Sequence, residues 1–381
     1  MRNLKTNFDS DKTIVCQRCV MDTSASEITF DESGFCNFCN ELVRKNRNKQ
    51  DTKSTADIHR DLLRKIKADG KGRSYDCVVG VSGGVDSSWV LVNAVENGLR
   101  PLAVHMDNGW NSDLAQRNIE NLVKGLNVDL YTYVVDWQLF KDAQEAFFEA
   151  DVIDIELLTD NLLISVNFRK ASELGLKHIL SGSNTATEGI AMPHQWAAET
   201  KLNKSNILRI WKTYGKQYQP SRLPVVSLSM FYYFRFIRRI TWHRYLDLII
   251  YEKARAISEL NRRFSYIPYP YKHYESIFTR FYQGYILPKK FGVDKRKNHL
   301  SALILNGEIS RESALADLRR SPYSGEDQLK QDMQYFLKKL SWDMNKLDEY
   351  IARPGKPHAL FGSDIDILHI PRLVHRGLIG N

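Results

Sequence analysis

Tyr75-Asp76-Cys77-Val78-Val79-Gly80-Val81-Ser82-Gly83-Gly84-Val85-Asp86-Ser87-Ser88 is the stretch that decides the fold. Tyr75 to Val81 is a short apolar run that predicts a strand, and Val85 to Glu96, closed by Gly98, predicts a helix. The residues between them are small. A helix N-terminus presents unpaired amides and a positive dipole end. Gly83 and Gly84 remove the side chains that would keep phosphate oxygens off that backbone, and Ser82, Ser87 and Ser88 can add hydroxyl donors. Asp86 would repel naked phosphate, so it fits as a Mg²⁺ holder or as the orienter of a neighbour. The bland alternative is a Ser-Gly turn without a ligand; the strand–loop–helix setting favours the phosphate loop. The stretch lacks the Gly-Lys-Ser/Thr ending of a Walker loop and is not a dinucleotide fingerprint.

Outward from this stretch, strands and helices alternate. Pro101 to Met106 predicts a second strand, followed by the turn Asp107-Asn108-Gly109. Leu114 to Leu126 predicts a helix, Leu130 to Val135 a strand, Phe140 to Ala150 and Leu157 to Leu174 helices, and His178 to Ser181 a strand. This order implies an α/β fold: a parallel sheet with helices on both faces and ligands at the carboxyl ends of the strands. From about residue 190 the chain becomes aromatic, basic and mostly helical, with Ser310 as a helix N-cap and helices at Gln328 to Leu340 and Trp342 to Ile351. Val225 to Tyr251 carries Arg235, Arg238, Arg239, His243 and Arg244. It is expected to be a packed helical hairpin or, alternatively, a basic aromatic surface for anionic lipid or a partner protein.

Cys16-x-x-Cys19 and Cys36-x-x-Cys39 have the spacing of a four-cysteine zinc ribbon or knuckle. An iron–sulfur cluster and redox-active pairs are the competitors. Four thiolates would close the coordination shell, so the expected role is structural or docking. Cys77, inside the first strand, is expected to be a small buried residue.

The bulk numbers agree with an enzyme that handles phosphate. The chain has 381 residues, a formal net charge of +9 and 43% hydrophobic residues, enough for about two domains and a sizeable core. Five cysteines, with a polar Met1 to Lys12 and no long uncharged apolar run, point to the reducing cytoplasm and away from a spanning helix. The expected organisation is a four-cysteine module at 13–40, a linker helix at 41–72, the sheet domain at 73–190 and a mostly helical substrate or partner domain at 191–381.

Ser82 to Ser88 resembles the PP-loop of ATP pyrophosphatases such as GMP synthetase, asparagine synthetase and the tRNA thiolation and lysidine-forming enzymes. The resemblance implies a Rossmann-like doubly wound sheet, and Mg²⁺-ATP split to AMP and pyrophosphate. It implies ATP contacts from Ser82, Gly83, Gly84, Val85, Asp86, Ser87 and Ser88. Further contacts come from His105, Met106 and Asp107 at the second strand end, and from Gly182, Ser183, Asn184 and Glu188 later in the chain. His105 is equally readable as a partly buried strand residue.

The densest polar run begins at Lys272-His273-Tyr274-Glu275 and continues through Pro288-Lys289-Lys290 to Asp294-Lys295-Arg296. Such cations can clamp phosphate during adenylyl transfer, or form a solvated basic face. Together with the cysteines, the loop and Gly182-Ser183-Asn184, the run from Lys272 to Leu305 resembles the N-acetyl sugar amidotransferases of bacterial surface-polysaccharide (LPS, O-antigen) biosynthesis. That resemblance implies conversion of the acetamido group of a nucleotide-linked sugar to an acetamidino group. It also implies ammonia from a separate glutaminase and a cyclase-like barrel protein, with no nucleic-acid partner. Residue type and resemblance nominate Asp86, Lys272, His273, Glu275, Lys289, Lys290, Lys295 and Arg296 as catalytic. The rivals are a PP-loop tRNA thiolation enzyme, which would need cysteines at the site, and a non-catalytic ATP- and zinc-binding interaction protein.

Overall fold

The computed structural model describes residues 13–49, 54–323 and 325–367; the polar Met1 to Lys12 lies outside the described residues. Helices α1 (Asn37–Lys49) and α2 (Thr55–Asp69) lead into the sheet, so the segment read as one linker helix contains two. Then follow β1 (Cys77–Gly80), α3 (Val85–Glu96), β2 (Pro101–Asp107), α4 (Asp113–Leu126), β3 (Leu130–Val134), α5 (Trp137–Glu149), α6 (Leu157–Glu173) and β4 (His178–Ser181). After β4 come α7 (Thr185–Glu188), α8 (Lys204–Tyr214), α9 (Leu228–Tyr232), β5 (Thr241–Arg244) and α10 (Lys253–Phe264). Short helices α11 (Ile277–Phe281) and α12 (Leu287–Phe291) precede α13 (Arg296–Leu305), α14 (Arg311–Leu318), α15 (Glu326–Leu340) and α16 (Met344–Ala352).

The five strands are all parallel, in the order β3-β2-β1-β4-β5. Strand order therefore reverses between β1 and β4, the position at which doubly wound sheets open a ligand crevice. Alternate strand residues feed opposite cores, as the pleat requires. Val78, Leu102, Val104 and Ile179 join the cluster that holds Phe140, Phe147 and Phe168 of α5 and α6. Cys77, Val79, Ala103 and Leu180 join the cluster that holds Val90, Leu91 and Leu260 of α3 and α10. Cys77 is buried in that second core, as its strand position predicts, and burial pushes its thiol pKa up. Local capping fixes several boundaries: Ser112, Asp136, Asn184 and Ser310 each accept a first-turn amide.

One expectation fails. The segment read as a helical hairpin is helical through α9, one π-turn at Tyr233–Ile237 and a single 3-10 turn at Tyr245–Leu248, with a strand between them. Arg239 then adopts φ +56°, which ends the helix. Thr241 to Arg244 pair with His178 to Ser181, so the sheet extends beyond residue 190. The arginines are absorbed locally: Arg235 donates to Thr241 Oγ1, Arg238 to Ser172, and Arg244 pairs with Asp247. Among the described residues no helix is long and apolar enough to cross a membrane.

Candidate active site

The loop after β1 has a backbone that only glycine tolerates at its centre. Gly83 adopts φ +83°, and a Cβ there would stand 2.8 Å from the Ala115 carbonyl oxygen. A Cβ on Gly182, just past β4, would stand 2.7 Å from the Ser87 amide nitrogen. These two glycines let the ends of β1 and β4 close on the first turn of α3. The hydroxyls expected to face phosphate are used within the loop: Ser82 and Ser87 oxygens lie 3.3 Å apart, Gly84 N–H donates to Ser82, and Ser87 donates to the Gly84 carbonyl. Ser88 is buried, and its hydroxyl has no partner among the described residues. The loop is thus held open by its own side chains, and the first-turn amides of α3 remain the donors on offer.

Asp86 and Glu188 converge on one cation. Lys272 Nζ lies 2.7 Å from Asp86 Oδ2, 2.9 Å from Glu188 Oε1 and 2.7 Å from Thr187 Oγ1. The Tyr251 hydroxyl donates to the other Asp86 oxygen. Burial raises the Glu188 carboxyl, but Lys272 and His273 outweigh it and hold the group at about 2. Burial and the Asp86 charge push the Tyr251 hydroxyl up, so it stays a neutral donor. Both Asp86 oxygens are therefore engaged by donors, and the carboxylates of Asp86 and Glu188 with the Thr187 hydroxyl orient Lys272.

His273 adopts φ +64° and is half-exposed, with its ring 3.9 Å from Glu188. Glu275 accepts the Ser112 amide through its carbonyl at 3.0 Å, and its carboxylate lies beside Gly84. Lys272, His273, Glu275, Asp86 and Glu188 are thus brought together. Others are not. Lys290 is fully buried against Asp151 and the carbonyls of Tyr350 and Arg353, while Lys289 is bonded to Tyr285. Lys295 pairs with buried Glu156 at 2.8 Å, and Arg296 binds Asp294 and three carbonyls of the α14 end. All four are thus engaged by partners within the chain, and Lys295 and Arg296 also line a cavity of about 100 Å³ that opens beside Lys272.

His105 is a buried strand residue that bonds the Val81 carbonyl and Asn111 at 2.9 and 3.0 Å, and burial lowers its pKa. Met106 is buried, Asp107 accepts the Gly109 amide at 2.8 Å, and Ser183 and Asn184 brace the turn after β4. Sequence reasoning missed Thr187, Tyr251, Lys253 and His299. Lys253 lines the cavity half-buried, with its pKa lowered by burial, and makes no ion pair among the described residues. Burial, with His273 and Lys272 nearby, holds the His299 ring neutral at about 3. Thr187, Tyr251 and Lys253 lie outside the motifs read from the sequence, and His299 lies within the run from Lys272 to Leu305 without a feature that singles it out; a lysine or tyrosine in an aromatic stretch carries no signal of its own.

The four cysteines of the N-terminal module are buried, and their sulfur atoms all lie within 4.8 Å of one another. Cys16 and Cys39 sulfurs are 3.8 Å apart, and those of Cys19 and Cys36 are 3.6 Å apart. A tetrahedron with Zn–S near 2.3 Å has edges of about 3.8 Å. The amides of Cys36 and Cys39 point at Cys16 and Cys36 sulfurs at 3.2 and 3.4 Å, which suits thiolate charge. A four-iron cluster would hold its cysteine sulfurs at separate corners, farther apart than this. The set fits one closed structural zinc.

Comparison with curated proteins found no match. Among solved structures the chain is similar to the NH3-dependent NAD synthetase of Campylobacter jejuni, at 16% identity and TM-score 0.29, covering 42% of this chain and 73% of that one. It is also similar to NMN synthetase from Francisella tularensis, at 16% identity and TM-score 0.28, covering 56% and 94%. A third is the U34-tRNA thiolase NcsA of Methanococcus maripaludis with its [4Fe-4S] cluster, at 11% identity and TM-score 0.21, covering 66% and 83%. Residues 275–372, which begin at Glu275 of the site and include α11 to α16, match the family described as LPS biosynthesis protein WbpG-like, C-terminal domain.

Proposed function

We propose that this chain is an ATP-dependent, AMP-forming amidotransferase of LPS or O-antigen biosynthesis that converts the acetamido group of a nucleotide-linked N-acetyl sugar to an acetamidino group. The observation that carries the reading is Lys272. It lies three residues before the WbpG-like region and reaches Asp86 in the first turn of the phosphate-loop helix. The amide oxygen of the sugar attacks the α-phosphorus of Mg²⁺-ATP, the Pα–O bond to the β-phosphate breaks, and pyrophosphate leaves with that electron pair. Ammonia adds to the imidate carbon. The C–O bond then breaks, AMP departs with its electrons, and the amidinium product keeps three of the four N–H protons, the fourth passing to water. The first-turn amides of α3 grip the departing pyrophosphate, and Lys272 and Lys253 offset its charge. Asp86, Tyr251 and Glu188 aim Lys272. Ammonia comes from a separate glutaminase and barrel protein, and the work is done in the cytoplasm.

The thiolation alternative has little support: the sulfur atoms of four cysteines lie within 4.8 Å of one another in a buried cluster, and the fifth cysteine is buried in the sheet. The test is purified protein with Mg²⁺-ATP, an ammonium salt and UDP-linked N-acetyl sugars. AMP, pyrophosphate and a product one mass unit lighter, bearing the amidine, are expected. Release of ADP, or turnover only with tRNA, would end the proposal.

A further inference from the structure

Helix α13 stands between the cysteine module and the active site. Lys297 and Ser301, four residues apart, share one of its faces, while His299 and Leu303 sit about 200° round the helix from them. On the first face Lys297 Nζ lies 2.5 Å from Asp22 Oδ2 and 3.2 Å from Ser24 Oγ, and Ser301 Oγ accepts the Val20 amide at 3.2 Å. Asp22, Ser24 and Val20 all belong to the cysteine module. Arg311, at the start of α14, donates to the carbonyls of Cys16 and Cys19 at 2.7 to 3.1 Å. On the other face His299 Nδ1 lies 3.3 Å from the Thr187 carbonyl, and Asn306, just past the helix, donates to the Ala186 carbonyl at 2.5 Å. Helix α7 carries Thr187 and Glu188, two of the three groups that hold Lys272 against Asp86. A second path is direct: a Cβ on Gly189 would stand 2.8 Å from Leu42 Cδ1, three residues after Cys39.

We infer that the cysteine module is an internal brace of the active site, acting through α13 and α7, with Lys297 and Arg311 as positioning residues. A bound metal ties the two Cys-x-x-Cys turns into one rigid body. That body fixes the outer face of α13, and α13 fixes the carbonyl side of α7. Without it, Thr187 and Glu188 lose their support, and Lys272 loses its fixed aim at the phosphate loop. Val20, Asp22 and Ser24 are the module residues turned toward α13, and through them the module bears on the site within this chain. Calling the Lys272 cluster an active site rests on the proposed function; the physical coupling does not.

Hydrogen exchange on the intact protein tests the coupling without substrate. In Lys297→Met, zinc content is expected to stay near one per chain, while amides at 185–189 and 296–305 exchange about tenfold faster. Those of β2, buried between β1 and β3, are expected to stay unchanged. Lys297→Arg is expected to restore protection. Wild-type protein stripped of metal by a chelator should show the same two segments loosened, which covers the case in which Lys297→Met does not fold. Loosening confined to 13–40 in the metal-free protein, with 185–189 unaffected, would overturn the inference. Coupling in a protein that makes no AMP would instead sink the proposed function alone.

Discussion

Replacing Lys272 with methionine removes a cation from between two carboxylates. The lysine side chain is 12% exposed, Asp86 is 14% and Glu188 is 29%, so solvent replaces little of what is lost. Glu188 stands at about 2 against an ordinary 4.5. That difference is worth about 3 kcal/mol at about 1.36 kcal/mol per pH unit. Removing one member of a buried pair costs a similar amount, about 3–5 kcal/mol. The sign follows from the depressed value. The Glu188 contribution is fully present above its unfolded pKa near 4.5 and is lost as pH falls towards 2. In the variant that contribution is already gone at pH 7, and Glu188 takes up a proton more readily. The gap between wild type and variant in urea unfolding is therefore expected to be about 3 kcal/mol at pH 7 and to narrow below about pH 4.5. A gap under about 1 kcal/mol at pH 7, or one that stays constant down to pH 3, would refute the reasoning. In the same protein AMP formation is expected to be lost.

Gly83→Ala is expected to abolish ATP binding measured by calorimetry, because the new methyl would meet the Ala115 carbonyl at 2.8 Å in a backbone that φ +83° already reserves for glycine. Asp86→Ala should end turnover while circular dichroism stays native, since Glu188 still pairs with Lys272. Cys36→Ser should drop zinc, measured by metal analysis, from about one per chain to a small fraction, because a hydroxyl is a poor fourth ligand. Lys290→Met should cost about 1–3 kcal/mol in denaturant unfolding, because Arg353 and Lys356 still pair with Asp151 while the Tyr350 and Arg353 carbonyls lose their buried donor, and the folded enzyme keeps its ATP turnover.

The parts legible in the sequence are those governed by local rules. The strand–loop–helix from Tyr75 to Glu96 is set by periodicity and two glycines, and the cysteine quartet by its spacing. The cap at Ser310 is set by a side chain and an amide three residues on. Strand β5 was not legible, because its four half-buried residues make sense only beside β4, and the arginines that precede it read as surface until their local acceptors are seen. The candidate site was half legible for the same reason. Lys272 and Lys290 are the same residue type in one basic run, yet one reaches the phosphate loop and the other is sealed beneath Tyr350. Residue type cannot separate them; the turn at His273 and the packing of α12 on α16 do.

The bond from Val20 to Ser301 spans 281 residues of chain, and those from Arg311 to Cys16 span 295. The cysteine module thus leaves the ribosome 281 to 295 residues ahead of the groups that seat it. At about 5–20 residues per second, its turns wait roughly 15–60 s before α13 and α14 exist to receive them. During that interval four thiols stand unshielded, and a metal ion that reaches them early would keep them from oxidation and mispairing. Supply of zinc during synthesis, rather than after it, would then set how much of the nascent chain matures.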